Sequence, residues 1–345
     1  MRRLAAILTI IGVCANGAAL AAEQPVPVLD VGAVPYLDAA ARARYATFLL
    51  LNLPRAMAIA SNGWYGGWGG GGTMENARAQ ALKLCTDRGG TDCAVYAEDL
   101  QVVWRGQSAV LLPAVPGPLI ETRDYAFVPD ARYIWHGPQA ARGVYVWAHG
   151  KGNAIDSRGA QPQAHVRAFN NAGFDIVRFD RSPTTDYVDD AADWLRKGLA
   201  SLRTRGWHMV IAGGQSRGAW NSLQALDTPG LVDAVIAISP ASFSGVATQE
   251  ADLWRILHAA RSPSARVAVV QFKGDPYVRD MSSRIAMLRE ALQTHAAASL
   301  VIDQPEGFTG HGGGGAPGFA TRFAPCLLRF VTDPQPPTAC TPPST

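Results

Sequence analysis

Five residues, Gly214-Gln215-Ser216-Arg217-Gly218, match the pattern G-x-S-x-G, which makes the Ser216 hydroxyl a candidate nucleophile. In a chain with 35 glycines the match means little by itself. Its surroundings give it meaning. The apolar run Met209-Val210-Ile211-Ala212 leads into it as a strand, and Ala219, Leu223 and Leu226 follow as one helix face. A sharp strand–turn–helix of this kind exposes a serine Oγ at the C-terminal edge of a sheet. Both glycines then have a physical reason, since a side chain at either would crowd the neighbouring strand or helix. The competing reading is a tight turn with a solvated serine, and it weakens only if the chain also supplies a base and an acid at the same edge.

A serine hydroxyl is a poor nucleophile until a base takes its proton, and the base needs a partner that fixes its tautomer. In this setting the expected chain order is serine, acid, histidine. Residues 267–272 form an apolar strand that runs into Lys273-Gly274-Asp275-Pro276, which puts Asp275 just beyond a strand end. Asp280 is the rival acid, placed to cap the helix that opens there. The preceding strand ends at Ser239-Pro240 with no carboxylate before Glu250. Of the seven histidines, only His295 and His311 follow Asp275. His295 precedes a strand and so belongs to the opposite edge. His311 follows that strand, in Gly310-His311-Gly312, where small neighbours let an imidazole reach inward; its alternative is a solvated loop histidine.

A tetrahedral intermediate needs two aimed N–H donors, and losing one typically costs about 3 kcal/mol of transition-state stabilisation. The backbone of Arg217, directly after the serine, is one candidate. The other lies in His149-Gly150-Lys151-Gly152, after the strand ending at Ala148, with the amides of Gly150 and Lys151 both open as donors. The His149 ring reads as structural. The Arg217 side chain reads as a surface ion pair, with recognition of an anionic substrate group as its alternative, and Trp220 reads as core.

The elements that must position these residues alternate. From about residue 120, strands at 144–148, 174–179, 209–212, 234–239, 267–272 and 300–302 are separated by helical segments at 163–171, 187–203, 252–260 and 281–294. This pattern predicts an α/β fold, a mostly parallel sheet with helices on both faces. Val188, Ala192, Leu195, Leu199 and Leu202 share one face of the helix at 187–203, and Asp186, Asp189 and Asp190 gather at its start, where the dipole favours them. A closing helix is expected to end near Phe330, with Pro325 in its first turn.

Taken together, the elbow serine, Asp275, His311 and the His149-Gly150-Lys151-Gly152 loop resemble the α/β-hydrolase superfamily over roughly residues 120–331. The loop is similar to the HGGG-type motif of esterases, with Lys151 in place of one glycine. The resemblance implies hydrolysis of a carboxylic ester through an acyl-enzyme. A peptidase or thioesterase uses the same three residues, and a non-catalytic envelope binding protein on the same fold is the rival from another class. No cofactor or metal is implied; the expected partner is a small-molecule or acyl substrate.

Residues 22–112 differ in texture. A helix is expected over 38–51, a strand near 57–61, then a mobile surface loop through Gly63, Gly66, Gly67 and residues 69–72, interleaved with Trp64, Tyr65 and Trp68. That run lacks the GK[ST] ending of a phosphate-binding loop. Thr73 caps a helix over 75–88, stopped by Gly89-Gly90, and a strand or hairpin follows over 93–104. The stretch 79–99 resembles a small disulfide-bearing module of exported bacterial proteins. The whole therefore reads as a small disulfide-bearing α+β region, a hydrolase domain over 113–333 and a proline-rich tail over 334–345.

At the N-terminus, Arg2 and Arg3 precede an apolar stretch over 4–13, and Ala19-Leu20-Ala21 supplies small residues at a signal-peptidase site. The stretch is too short to span a bilayer as a helix, which takes about 20 apolar residues. Residues 1–21 read as a cleaved export signal, and the mature chain as periplasmic or secreted without a membrane span. Cys14 leaves with the signal. The even count that remains fits pairing in an oxidising compartment, with Cys85–Cys93 and Cys326–Cys340 the simplest of three connectivities. A composition of 48% hydrophobic and 17% charged residues supports a sizeable core, and a formal charge of +3 gives no reason to invoke nucleic acid.

Overall fold

The computed structural model describes residues 27–105, 110–152, 155–242 and 245–340. The expected signal segment, Cys14 included, and the last five residues of the tail lie outside them. No helix of the described residues is long and apolar enough to cross a membrane.

The N-terminal part holds α1 (Ala39–Phe48), β1 (Arg55–Ile59), β2 (Tyr65–Gly69), α2 (Met74–Asp87), β3 (Ala94–Glu98) and β4 (Gln101–Val102), with the strands in the order β2-β1-β3-β4. Asp38 and Thr73 cap the two helices by accepting from Ala41 N and Asn76 N. The glycine-rich run departs from its expectation: instead of a loop it supplies β2, an edge strand antiparallel to β1. Its glycines serve packing. A Cβ at Gly66 would lie 2.6 Å from Cys85 N and closer still to Ala81 O, so only a bare backbone lets α2 lie this close to β2. Cys85–Cys93 ties the end of α2 to the start of β3.

An eight-stranded sheet follows. In chain order its elements are β5 (Ile120–Glu121), β6 (Tyr125–Pro129), β7 (Gly143–Ala148), α3 (Val166–Asn171), β8 (Phe174–Arg181), α4 (Val188–Thr204), β9 (Val210–Gln215), α5 (Arg217–Gln224), β10 (Ala234–Ile238), α6 (Val246–His258), β11 (Arg266–Gln271), α7 (Met281–His295), β12 (Ala298–Asp303) and α8 (Phe319–Thr332). The strand order is β12-β11-β10-β9-β7-β8-β6-β5. Neighbours from β8 to β12 pair parallel, and only β6 and β5 introduce antiparallel pairs. Buried on both sides, these strands read as continuous apolar runs.

Alternation along each strand divides the core in two. Val144, Val146, Val235, Ala237, Val267 and Val269 face α4, α5, α6 and α7. Tyr145, Trp147, Ile236, Ile238, Ala268 and Val270 face α3 and α8. Helices therefore cover both faces, as the alternating pattern requires. On α4, Ala192, Leu195, Leu199 and Leu202 are buried at helical spacing.

Pro325 lies inside α8 rather than in its first turn. The helix opens six residues earlier because Phe319, Phe323, Leu327 and Phe330 form one apolar stripe against the sheet. That burial outweighs the hydrogen bond a proline removes. Cys326 pairs with Cys340 and brings the tail back over this helix.

Candidate active site

The chain leaves β9, turns once and enters α5. Ser216 makes that turn with φ 57° and ψ −119°, a conformation that is strained for a residue with a side chain. The strain is held from several sides. Ser216 N donates to Ile238 O at 3.0 Å, and Ser216 O accepts from Trp220 N at 2.9 Å and from Ala241 N at 3.3 Å. A Cβ at Gly218 would collide with the Ala148 carbonyl, and one at Gly214 would stand 2.7 Å from Gly218 C. The elbow thus packs backbone against backbone, and Ser216 is only 6% exposed.

Asp275 lies past the end of β11, and a parallel bridge between Lys273 and Thr309 brings the segment after β12 alongside it. His311 follows that bridge. Its Nδ1 lies 2.9 Å from Asp275 Oδ2, while Asp275 Oδ1 accepts from Tyr277 N at 3.0 Å. With Nδ1–H donated to the carboxylate, Nε2 is the basic nitrogen; it is buried and makes no hydrogen bond among the described residues. The Tyr277 ring packs 4.5 Å from the imidazole, centroid to centroid.

The elbow and the histidine loop are joined directly, because Gln215 Nε2 donates to His311 O at 3.1 Å. Asp280, the rival acid, is spent elsewhere: it caps α7, accepting from Ser283 N at 3.1 Å and Ser283 Oγ at 2.7 Å.

The third segment follows β7. Gly150 leans on the elbow so closely that an added Cβ would lie 2.6 Å from Gln215 Oε1 and 3.3 Å from Ser216 Cβ. Arg217 is the first residue of α5, so its N–H has no carbonyl within the helix to bond. His149 is buried and neutral. Burial first, then the Arg181 charge, lowers its pKa to about 3. Its Nε2 accepts from Arg181 N at 3.1 Å, which leaves Nδ1 as the donor to Gly150 O at 2.6 Å.

Two side chains sit otherwise than their sequence context suggests. Arg217 is no surface ion pair: it is buried, with Nη1 3.5 Å from Asp186 Oδ1. Asp186 stands before α4, where Asp189 and Asp190 occupy the first turn, and takes part in a buried ion cluster instead. The Asp186–Arg217 partnership has no signal in spacing, because the two residues lie 31 apart in the chain and on different segments. Gln215 and Tyr277 also escape sequence reading, although both adjoin residues it singled out.

A mostly parallel sheet covered by helices on both faces, with a serine on a strained strand-to-helix turn at its C-terminal edge, is the α/β-hydrolase fold. Similar solved structures include Est1E from Butyrivibrio proteoclasticus, at 13% identity over 57% of this chain and 90% of that one, with a TM-score of 0.42. A carbohydrate esterase from gut microbiota is 14% identical over 59% of this chain and 89% of its own, TM-score 0.43. Dienelactone hydrolase from Anabaena variabilis is 20% identical over 59% and 88%, TM-score 0.41. No family model matches the sequence, and no curated protein does. At these scores the fold assignment rests on the chain's own strand arrangement and turn.

Proposed function

We propose that this protein is an exported serine hydrolase that cleaves a carboxylic ester or a related acyl bond through an acyl-enzyme. The observation that carries the reading is the His311–Asp275 bond of 2.9 Å, made at the sheet edge where Ser216 stands and leaving the second imidazole nitrogen without a hydrogen bond among the described residues.

In this reading His311 Nε2 takes the Ser216 proton as Oγ bonds to the substrate's carbonyl carbon. The carbonyl oxygen becomes an oxyanion, met by Arg217 N–H and by the amide of Gly150 or Lys151. Collapse breaks the bond to the leaving alcohol, which receives the proton from His311. Water, deprotonated by the same nitrogen, then attacks the acyl-serine, frees the acid and restores Ser216. Asp275 holds the imidazole in the required tautomer throughout. Two disulfides suit an oxidising compartment and support removal of residues 1–21 on the way to the periplasm or the medium.

A fluorophosphonate probe tests the assignment. It should label the wild-type protein and spare Ser216→Ala; equal labelling of both would remove Ser216 from the mechanism. A panel of esters, thioesters and peptides on the purified protein should yield turnover with esters. Silence across the panel, without labelling, would leave a binding protein on a hydrolase fold.

A further inference from the structure

Four side chains converge beside the candidate oxyanion hole in a way that hydrolysis does not by itself require. Asp186 is at their centre. Its carboxylate pairs with Arg181 Nε at 3.3 Å and with Arg217 Nη1 at 3.5 Å, and its backbone carbonyl accepts from Lys151 Nζ at 2.6 Å and from Arg217 Nη1 at 3.3 Å. Arg181 carries the connection further. Its Nη2 donates to His149 O at 2.5 Å, and its backbone N–H holds the His149 ring.

We propose that Asp186 is a positioning residue that locks the two halves of the oxyanion hole to each other. One half is the amide of Arg217, whose side chain is anchored on the Asp186 carboxylate. The other is the loop at 149–152, gripped at its first residue through Arg181 and at its third through Lys151. The inference rests on the serine-hydrolase reading above.

Energetics argue the same way. Asp186, Arg181 and Arg217 are 2%, 0% and 4% exposed, and two guanidinium groups share one buried carboxylate while Lys151 holds the backbone carbonyl of the same residue. Burying such a group is costly, and apolar side chains of similar volume commonly give equal or greater stability. Among the described residues, Arg181 Nε and Nη1 and Arg217 Nε even lack hydrogen-bond partners. A fold has little to gain from this arrangement, whereas a site that must hold two amides in register and place positive charge near a forming oxyanion gains both.

Lys151→Met and Asp186→Asn test the proposal, each measured as kcat per active site titrated with fluorophosphonate, alongside KM, the Ki of a trifluoromethyl ketone analogue and the melting temperature. Lys151 is only partly buried, so Lys151→Met should fold even if Asp186→Asn does not. A loosened hole should lower kcat by about tenfold to a hundredfold with KM within about twofold, since small misplacements cost that much. Affinity for the ketone should fall by the same factor as kcat/KM, and Lys151→Arg should recover part of the loss. Folded Lys151→Met with wild-type kcat and wild-type ketone affinity would overturn the proposal, as would a rise in KM alone. Failure of the wild-type protein to react at Ser216 would instead sink the hydrolase reading itself.

Discussion

At the scale of single residues, the two aspartates near the end of β11 separate cleanly. Asp275 gives one oxygen to Tyr277 N and the other to His311, so it is spoken for on both sides. Asp275→Asn should fold normally and lose about 10⁴-fold in kcat, through the wrong imidazole tautomer. Asp280→Ala should keep its kcat and lose a little stability with its helix cap, read as a lower urea midpoint. The reverse pattern would exchange the two roles. Gly150→Ala should lower kcat, because its methyl group must push Gln215 away from the elbow. Two buried histidines also contribute to sensitivity to acid. Burial alone for His165, and burial with the Arg181 charge for His149, lower both pKa values to about 3 from 6.5. Each stays neutral in the folded protein while the unfolded chain takes up a proton below about pH 6.5. Stability is therefore intact above that pH and is lost as pH falls toward 3, with a slope approaching one proton per histidine. Urea midpoints between pH 7 and 4 should show a slope smaller by one proton in His165→Phe; identical slopes would contradict this.

At the scale of elements, two departures from sequence expectation share one cause. The glycine-rich run reads as a loop because glycine has little strand propensity, yet it forms β2 because α2 must lie directly on its backbone. Gly66→Ala should cost about 1–3 kcal/mol through overpacking, seen as a lower urea midpoint, with kcat per titrated site unchanged. Pro325 reads as a first-turn residue because prolines favour that position, yet the phenylalanine stripe of α8 starts a turn and a half earlier. In both places a tertiary contact overrides a local preference. The elbow shows the opposite case. There the local pattern of apolar strand, glycines and helix agrees with the packing, so β9 and α5 were readable in advance.

Across the whole molecule, the small N-terminal sheet is fastened to the larger unit by polar contacts. Asn52 Nδ2 donates to Pro162 O at 2.9 Å and Asn171 Nδ2 donates to Leu49 O at 3.0 Å. Arg55 and Arg167 are buried from opposite sides, the first capping the carbonyls of the α1 C-terminus and the second stacked 4.2 Å from the Tyr133 ring. The two disulfides close short loops, of 8 and 14 residues in sequence separation. Reduction should lower stability by about 2–3 kcal/mol per bridge on the chain-entropy account. It should leave kcat per titrated site unchanged, because neither bridge touches the site. A calorimetric scan with and without reductant, paired with active-site titration, checks both statements.

Periodicity and chain order were enough to determine the alternating architecture and the elbow at Ser216, and to single out Asp275 and His311 as the pair proposed to serve it, because each depends on neighbours close in sequence or on which end of a strand a loop follows. Spacing could not reveal the Asp186 cluster, the grip of Gln215 on the His311 loop, or the burial of Arg217. Those depend on where loops far apart in sequence meet, and a charge stands equally well in water or in a buried pair until the fold decides which. The same limit applies to Gly150: a glycine is permitted almost anywhere, and only the approach of the elbow makes it required.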